Sequence, residues 1–353
     1  MTVSLLRVNI SWRINMRSRS LKYFLWGTVF SLSALIVWLH FFKEKASNVF
    51  MEGKALGVFY SISFEGDPRL EKSIDSLIHE IDLAVNLQLP NSEISRFNRF
   101  GSIDNASSHL ENLIELSNFF HFLSGGAVSH TMLPLIRGWG REFSNQRQMT
   151  HEKVEELMRL CDIRNVEIGT SMIKSNQQGI MLDLNYLDKG YLIDLLTDFL
   201  LKKGVKNFHI EFGLDGVTYG LGKRKNSLNF LSNLPPEFQR QFSKKLNQNI
   251  NNTAYSSSGN LNKFYVDAKG NKHSHLIDLR TGFPISNGIL ANHIISSRCV
   301  KADAIATICM ILDLEESIYL INNDPELEGL IVYNLNGNLE VWTSSGFRYS
   351  KEK

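Results

Sequence analysis

The chain has 353 residues, of which 43% are hydrophobic and 21% are charged, and its formal net charge at pH 7 is +2. This is a globular composition with enough apolar residues for a large core. Without the basic residues of the first 22 positions the chain is slightly acidic, which argues against a nucleic-acid partner. The three cysteines have no paired or metal-type spacing and are predicted to be buried or half-buried thiols: Cys161, Cys299 and Cys309.

The N-terminus predicts a membrane anchor. Residues 1–22 contain only basic charges, and residues 23–42 contain no Asp, Glu, Lys or Arg. About twenty residues at a rise of about 1.5 Å span roughly 30 Å, the thickness of a bilayer core. A buried helix of the globular part and a cleaved signal peptide are the alternatives. The charge asymmetry predicts a cytoplasmic tail, a single-pass membrane helix, and residues 43–353 on the opposite side of the membrane.

Residues 50–353 predict one α+β domain in which strands and helices are interspersed without a regular βαβ pattern. Residues 223–252 are polar and predict an inserted surface segment. The other predicted elements, from hydrophobic spacing and capping signals, are a strand over 55–64, helices after Asp67-Pro68 and over 108–124, a strand at 180–184, a helix over 188–204, a strand over 205–212, and a hairpin around Asn336-Gly337.

Asp303 and Thr307 are four residues apart in an apolar run that reads as a helix. This spacing places a carboxylate and a hydroxyl on one helix face, one turn apart. Two oxygen donors suit Mg²⁺, which usually keeps water or substrate phosphate in its coordination shell. The alternative is an Asp that interacts with the helix dipole and a Thr that only packs.

Two further segments suggest a nucleotide-like ligand. Lys189-Gly190 lies near the start of a predicted helix, and a helix N-terminus is a favourable position for phosphate. The glycine-containing stretch over 125–140 would let a flat ligand approach the main chain. Taken singly, these features are more typical of an exposed lysine and of a glycine loop followed by a packed tryptophan.

The stretch HSHLIDLRTGFP, residues 273–284, combines imidazole, carboxylate and guanidinium groups with a tight turn. In an extended strand His275 and Ile277 point to one side and Asp278 to the other, so His275 is available to face a ligand. The alternative is a polar hairpin without a catalytic role.

From about residue 54 to the C-terminus, the order of these motifs resembles the FAD:protein FMN transferase family, also called the ApbE family. The matching stretches are SEISRFN, DKGYLID, HLIDLRTGFP and ADAIAT. The resemblance implies an ApbE-like, T-fold-related α+β architecture behind an N-terminal transmembrane helix. It also implies an enzyme that uses Mg²⁺ to split FAD, transfers FMN to a Thr or Ser hydroxyl of a membrane redox protein, and releases AMP.

The resemblance assigns roles to individual residues. Asp303 and Thr307 match metal ligands, and the main-chain carbonyl of Tyr186 matches a third. His275 matches the histidine proposed to take the proton from the acceptor hydroxyl. The positions that match FAD contacts are Leu56, Gln88, Ala127, Val128, Ser129, Asp183, Lys189 and Ile277.

Several of these positions depart from the family pattern. Gln88 replaces an aromatic residue, Ser129 replaces a carboxylate, and Asp188 adds one beside the expected metal. Further departures are Leu56-Gly57-Val58 for Met-Gly-Thr, Asn185 and Tyr186 for two glycines, and Leu214 for the second Gly of Gly-Gly-Asp. Two alternatives to transfer therefore stay open: a Mg²⁺-dependent FAD pyrophosphatase that yields FMN and AMP, and a non-catalytic flavin-binding protein.

Overall fold

The computed structural model describes residues 26–33, 47–140, 149–220, 252–259, 264–266, 272–274 and 276–347. The chain divides into two compact units, Met1–Ala46 and Ser47–Lys353. In the first unit residues 26–33 are helical, and the basic tail over 1–22 lies outside the described residues. Within the described ranges, no helix has the length and apolar character needed to cross a bilayer. The predicted insertion over 223–252 is outside them too, except for Asn252.

The second unit is built on an eight-stranded sheet in which all neighbouring strands are antiparallel. Its strands, in their order across the sheet, are β1 (Ser47–Ala55), β2 (Val58–Gly66), β6 (Phe208–Phe212), β7 (Asp215–Tyr219), β8 (Thr253–Gly259), β13 (Ile289–Ser296), β14 (Glu328–Leu335) and β15 (Asn338–Thr343).

Three small sheets accompany the large one. They are formed by β3 (Ser102–Asp104), β4 (Val166–Gly169) and β5 (Met172–Ser175), by β9 (Phe264–Val266) and β10 (Lys272–Ser274), and by β11 (Ile277–Asp278) and β12 (Phe283–Pro284). The hairpin predicted around Asn336-Gly337 is confirmed, because β14 and β15 pair from Leu330 to Leu335 across that turn.

The strand predicted over 55–64 is confirmed from Val58 onwards as part of β2, but its predicted start is wrong. Leu56 and Gly57 both have positive φ, 50° and 77°, and form the two-residue turn between β1 and β2. Such turns suit the right-handed twist of a hairpin, but Leu is an unusual residue in them. The apolar residues Leu56 and Val58 on either side of Gly57 match a strand pattern, so the sequence does not indicate the turn.

The helices are α1 (Glu71–Val85), α2 (Glu93–Phe100), α3 (Ser108–Leu123), α4 (Leu133–Trp139), α5 (His151–Leu160), α6 (Asp188–Lys202), α7 (Cys299–Ile311) and α8 (Leu314–Asn322). The predicted helices that correspond to α1, α3, α6 and α7 are confirmed.

Helix α7 is apolar on nearly every face because it is buried between the sheet and α6. Its contacts are with β8 and β13 on one side and with α6 on the other. Gly190 allows the close approach of the two helices, since a Cβ there would lie 2.6 Å from the main-chain oxygen of Cys299 and from the Cα of Val300. The three cysteines are buried free thiols, as predicted.

The strand predicted at 180–184 is also wrong. These residues belong to no strand of the sheets described above. Their main-chain groups are satisfied otherwise: the Asn98 side chain donates to the Leu182 carbonyl at 2.9 Å and accepts from the Leu182 amide at 2.6 Å. The Asp183 amide donates to the His130 carbonyl at 2.8 Å.

The stretch around Asp278 forms a hydrogen-bonded corner. Arg280 donates to both carboxylate oxygens of Asp278 and reaches Glu316 at the start of α8. The Gly282 amide donates to the Asp278 carbonyl at 2.7 Å, and the Trp139 indole donates to the Gly282 carbonyl at 3.0 Å. The carboxylate and the guanidinium of this stretch therefore hold the corner together.

Candidate functional site

A cavity of about 440 Å³ lies where the turn before α6, the face of α7, the end of β8 and the Leu276–Ile277 segment meet. Its volume is in the range of small-molecule sites. The residues that line it are Val128, Met132, Ile136, Asp183, Asn185, Tyr186, Lys189, Leu214, Ser257, Ser258, Gly259, Leu276, Ile277, Thr307 and Ile311. Six of the twelve residues predicted from the sequence are among them: Val128, Asp183, Tyr186, Lys189, Ile277 and Thr307.

Three buried carboxylates surround the Lys189 ammonium beside this cavity. The Lys189 Nζ atom lies 3.4 Å from Asp188, 3.5 Å from Asp303 and 3.7 Å from Asp215. It also donates to the main-chain carbonyl of Asn185 at 2.9 Å. The three aspartates are only 2–3% exposed, so the cluster has more negative charge than one ammonium neutralises.

The pKa values follow from this crowding. Burial alone would lower the pKa of Lys189, but the carboxylates of Asp303, Asp188 and Asp215 raise it well above its usual value. Burial raises the pKa of Asp188 to about 7, and burial together with the Asp215 charge raises the pKa of Asp303 well above its usual value. The ammonium therefore stays charged, while the carboxylates require a second cation or a proton.

Asp303 and Thr307 are both on α7, as predicted, but they meet different surroundings. Thr307 lines the cavity. Asp303 is not one of its lining residues, and its carboxylate accepts from the Gly190 amide at 3.0 Å. Asp303 is thus connected to the cavity by its ion pair with Lys189, which does line it.

The oxygen donors expected from the sequence are of the type that magnesium uses together with phosphate. The described part of the chain contains no group of three His, Cys, Asp or Glu side chains arranged to hold a metal. Mg²⁺, however, is commonly held by one or two carboxylates together with waters and substrate phosphates. Asp303, the hydroxyl of Thr307 and a carbonyl at Tyr186 are such a set, and a divalent cation would restore the charge balance of the cluster.

Gln88 lines a second cavity, of about 360 Å³, together with Leu87, Pro90, Ser95, Asn98, Arg99 and Arg137. Helix α4 contributes Ile136 to the first cavity and Arg137 to the second, so the two are neighbours. Leu56 lines neither cavity, but a Cβ at the adjacent Gly57 would lie 2.5 Å from Gln88 Nε2. Gln88 and the Leu56 turn are therefore close together.

The stretch from Ala127 to Ser129 is mostly turned inward. Ala127 is buried and its carbonyl accepts from the Leu279 amide at 3.2 Å. Ser129 is also buried, and its hydroxyl lies 2.7 Å from the hydroxyl of Thr131. Of the three, only Val128 lines the cavity. His275 lies outside the described residues, whereas the two residues after it, Leu276 and Ile277, line the cavity.

Other cavity residues were not singled out from the sequence. Met132, Ile136 and Ile311 are apolar residues whose pattern indicates only that they pack in a core. The sequence identifies Asn185 only as a replacement for a glycine of the family pattern. No local signal distinguishes the apolar residues that line a cavity from those that fill the interior.

The fold and the motif order together can now be compared with known proteins. The sequence profile of the ApbE family matches residues 56–331. The chain belongs to the ApbE family. The match includes every predicted site residue, from Leu56 to Thr307.

Members of the ApbE family similar to this chain are known by sequence and by structure. The chain is 24% identical over 316 residues to the FAD:protein FMN transferase of Vibrio cholerae, covering 87% of this chain and 93% of the relative. It is 24% identical over 338 residues to that of Buchnera aphidicola, covering 92% and 97%.

Solved structures of the ApbE family share the fold. The flavin transferase ApbE from Vibrio cholerae superimposes with a TM-score of 0.68 at 22% identity, covering 86% of this chain and 98% of that one. The apo flavinyl transferase ApbE from Pseudomonas stutzeri gives a TM-score of 0.71 at 18% identity, covering 86% and 96%.

Proposed function

We propose that this chain is an FAD:protein FMN transferase that cleaves the pyrophosphate of FAD and attaches FMN to a Thr or Ser hydroxyl of a membrane redox protein. AMP is the second product. The observation that carries the proposal is the convergence of Tyr186, Lys189, Ile277 and Thr307 on one cavity. These residues come from three segments far apart in the sequence, and each matches a position with an FAD or metal role in the ApbE family.

The proposed metal is Mg²⁺, and Mn²⁺ would use the same oxygen ligands. Asp303, Thr307 and the Tyr186 carbonyl would hold it. When bound, the metal would supply positive charge for the FAD diphosphate and the departing AMP. The excess negative charge around Lys189 supports a cation at this position.

The protein groups have separate tasks in this proposal. Asp183, in the turn before α6, and Lys189, in the first turn of α6, would hold FAD, since both line the cavity. His275 takes the proton from the acceptor hydroxyl as that oxygen bonds to the FMN phosphorus, and a neutral imidazole is suited to this task near pH 7. Gln88, in the neighbouring cavity, and the nearby turn at Leu56 would lie towards the isoalloxazine.

We also propose that residues 23–42 anchor the protein in the bacterial inner membrane, with residues 1–22 in the cytoplasm and the catalytic domain outside it. The uncharged run and the basic tail support this arrangement. Two separate experiments test it: extraction of isolated membranes at alkaline pH, and protease digestion of intact spheroplasts. The full chain is expected to stay in the membrane pellet and to lose its C-terminal domain to the protease. Release of an intact soluble protein would contradict the proposal.

The transferase activity is tested with the full chain in detergent, FAD and Mg²⁺, with and without a candidate acceptor protein. AMP is measured by chromatography and the acceptor by intact mass. A transferase adds the mass of FMN to the acceptor and releases AMP. Free FMN without an adduct would instead identify a pyrophosphatase, and FAD binding without AMP would identify a non-catalytic flavin-binding protein.

The role of His275 is tested in the same assay. His275→Ala is expected to reduce acceptor labelling about a hundredfold while FAD affinity changes little, because a general base acts on the acceptor hydroxyl. His273→Ala, two residues earlier in the same stretch, is the matched control. Full labelling by His275→Ala would remove this residue from the proposed role.

A further inference from the structure

The Tyr186 side chain reaches from the cavity into the protein core. Its hydroxyl lies 2.6 Å from the Ser117 hydroxyl, which in turn lies 3.1 Å from Nδ1 of His130. Tyr186 is 8% exposed, and Ser117 and His130 are fully buried. The three residues come from the turn before α6, from the middle of α3, and from the loop that precedes α4. One hydrogen-bonded chain thus joins three segments beneath the cavity.

His130 is a neutral end for this chain. Burial lowers the pKa of His130 to about 3, and the nearby His121 acts in the same direction. A neutral imidazole has one ring nitrogen that accepts and one that donates, so Nδ1 can complete the chain with Ser117 in either direction. Its other nitrogen, Nε2, is buried and has no hydrogen-bond partner among the described residues. The imidazole is therefore held at Nδ1 by the link to Ser117.

The same histidine also holds the turn through its main chain. The His130 carbonyl accepts from the amide of Asp183, three residues before Tyr186. The turn is thereby attached to His130 at two points. Asp183, Tyr186 and Lys189 all line the cavity, so a movement of the Tyr186 ring would displace the groups expected to bind the metal and the diphosphate.

We infer that the Tyr186–Ser117–His130 chain fixes the main-chain carbonyl of Tyr186 where the metal is bound, and that Tyr186 is a positioning residue. The inference rests on the proposed function, because it deepens the metal site named there. Ligand groups must be held to within a fraction of an ångström, and buried hydrogen bonds to the residues that carry them supply this precision. In this chain Tyr186, whose main-chain carbonyl would bind the metal, supplies such a hydrogen bond through its own hydroxyl.

Helix α6 contains a matched control five residues later. The Tyr191 hydroxyl lies 3.1 Å from His109 Nδ1 and accepts from Asn112 at 3.3 Å, and both partners are on α3. Tyr191 is 9% exposed, close to the value for Tyr186. Both tyrosines therefore attach the same segment to the same helix, but Tyr191 does not line the cavity.

The test is the binding of Mn²⁺ to the full chain in the presence of FAD, measured by electron paramagnetic resonance. Tyr186→Phe is expected to weaken Mn²⁺ binding about fivefold, the effect of one lost hydrogen bond on the position of a ligand. Ser117→Ala should weaken it similarly, and the double variant should add little. Tyr191→Phe should leave the Mn²⁺ affinity unchanged, although it should lower the melting temperature about as much as Tyr186→Phe does.

Two results would overturn the inference alone: wild-type Mn²⁺ affinity in Tyr186→Phe, or equal weakening in Tyr186→Phe and Tyr191→Phe. The second result would show that the hydroxyl of Tyr186 only stabilises the fold. Failure of the wild-type protein to bind Mn²⁺ would instead refute the metal site of the proposed function, and with it the inference. Measuring Mn²⁺ affinity directly separates these outcomes without relying on turnover.

Discussion

Two segments supply the expected metal ligands, and they are held in different ways. Asp303 and Thr307 lie within α7, whose own hydrogen bonds place them one turn apart. The turn over 182–187 belongs to no helix or strand and depends on side chains and carbonyls from distant segments: Asn98, Ser117 and His130. The comparison shows that one half of the site is determined by local geometry and the other by tertiary contacts.

This difference affects how each half responds to substitution. In α7 a change of side chain alters the chemistry of the site while the backbone stays helical. In the turn, a change far along the chain can move ligand groups that remain chemically intact. The following experiments test this division.

The largest effect is expected on the α7 side. Asp303→Asn should reduce AMP release by at least about a hundredfold, because Asp303, the proposed metal ligand and a partner of Lys189, loses its charge. AMP is measured by chromatography with the full chain, FAD and Mg²⁺. Asp104→Asn, an exposed aspartate in β3, is the control. Wild-type AMP release by Asp303→Asn would exclude Asp303 as a metal ligand.

The two halves meet where Gly190 packs against α7. Gly190→Ala should lower the free energy of unfolding by about 3 kcal/mol, since its Cβ would be 2.6 Å from main-chain atoms that cannot move aside alone. Urea unfolding measures the change. Gly169→Ala is the control, because its Cβ would lie no closer than 3.6 Å to a neighbouring atom. Equal stability of the two variants would contradict the tight packing of α6 on α7.

The turn side is tested at Asn98. Asn98→Ala should lower the free energy of unfolding by about 2 kcal/mol, because the buried main chain of Leu182 loses its donor and its acceptor. It should also weaken FAD binding, measured by calorimetry, although it leaves α7 intact. Asn323→Ala, which removes one exposed hydrogen bond, serves for comparison. Unchanged FAD affinity in Asn98→Ala would mean that the turn keeps its shape without this support.

The effect of acid is the smallest when it is expressed per pH unit. The pKa of His130 is about 3 in the folded protein and about 6.5 as its ordinary value, so the unfolded chain binds more protons between these limits. Stability should therefore fall as pH decreases from about 6.5 towards 3, by at most about 1.4 kcal/mol per pH unit from this residue. His130→Asn should show a shallower fall in urea unfolding than the wild-type protein, with the exposed His151→Gln as control. An identical slope would show that His130 is not buried in its neutral form.

Much of the fold could be predicted from the sequence. The spacing of Ile74, Ile78, Ile81 and Val85 identified α1, and the Asn336-Gly337 pair identified the last hairpin. The two wrong assignments share a cause. In the turn at Leu56-Gly57 and in the stretch at 180–184, which belongs to no strand, apolar residues match a strand pattern although their main chains do not pair as one.

The candidate site divides in the same way. The motif order identified the family and pointed to Tyr186, Lys189, Ile277 and Thr307, which the fold brings to one cavity. The link from Tyr186 through Ser117 to His130 could not be found in this way, because these residues are separated by 69 and 13 positions and form no motif.

The sequence by itself determined the elements whose hydrogen bonds are local, and so the one-turn relation of Asp303 to Thr307. Only the tertiary structure decided that Asp188, Asp215 and Asp303 surround a single ammonium, and that a tyrosine beside the cavity is bonded to a helix 69 residues away. The physical reason is that helix geometry is fixed by neighbours along the chain, whereas the burial of charges and hydroxyls is decided by which distant segments pack around them.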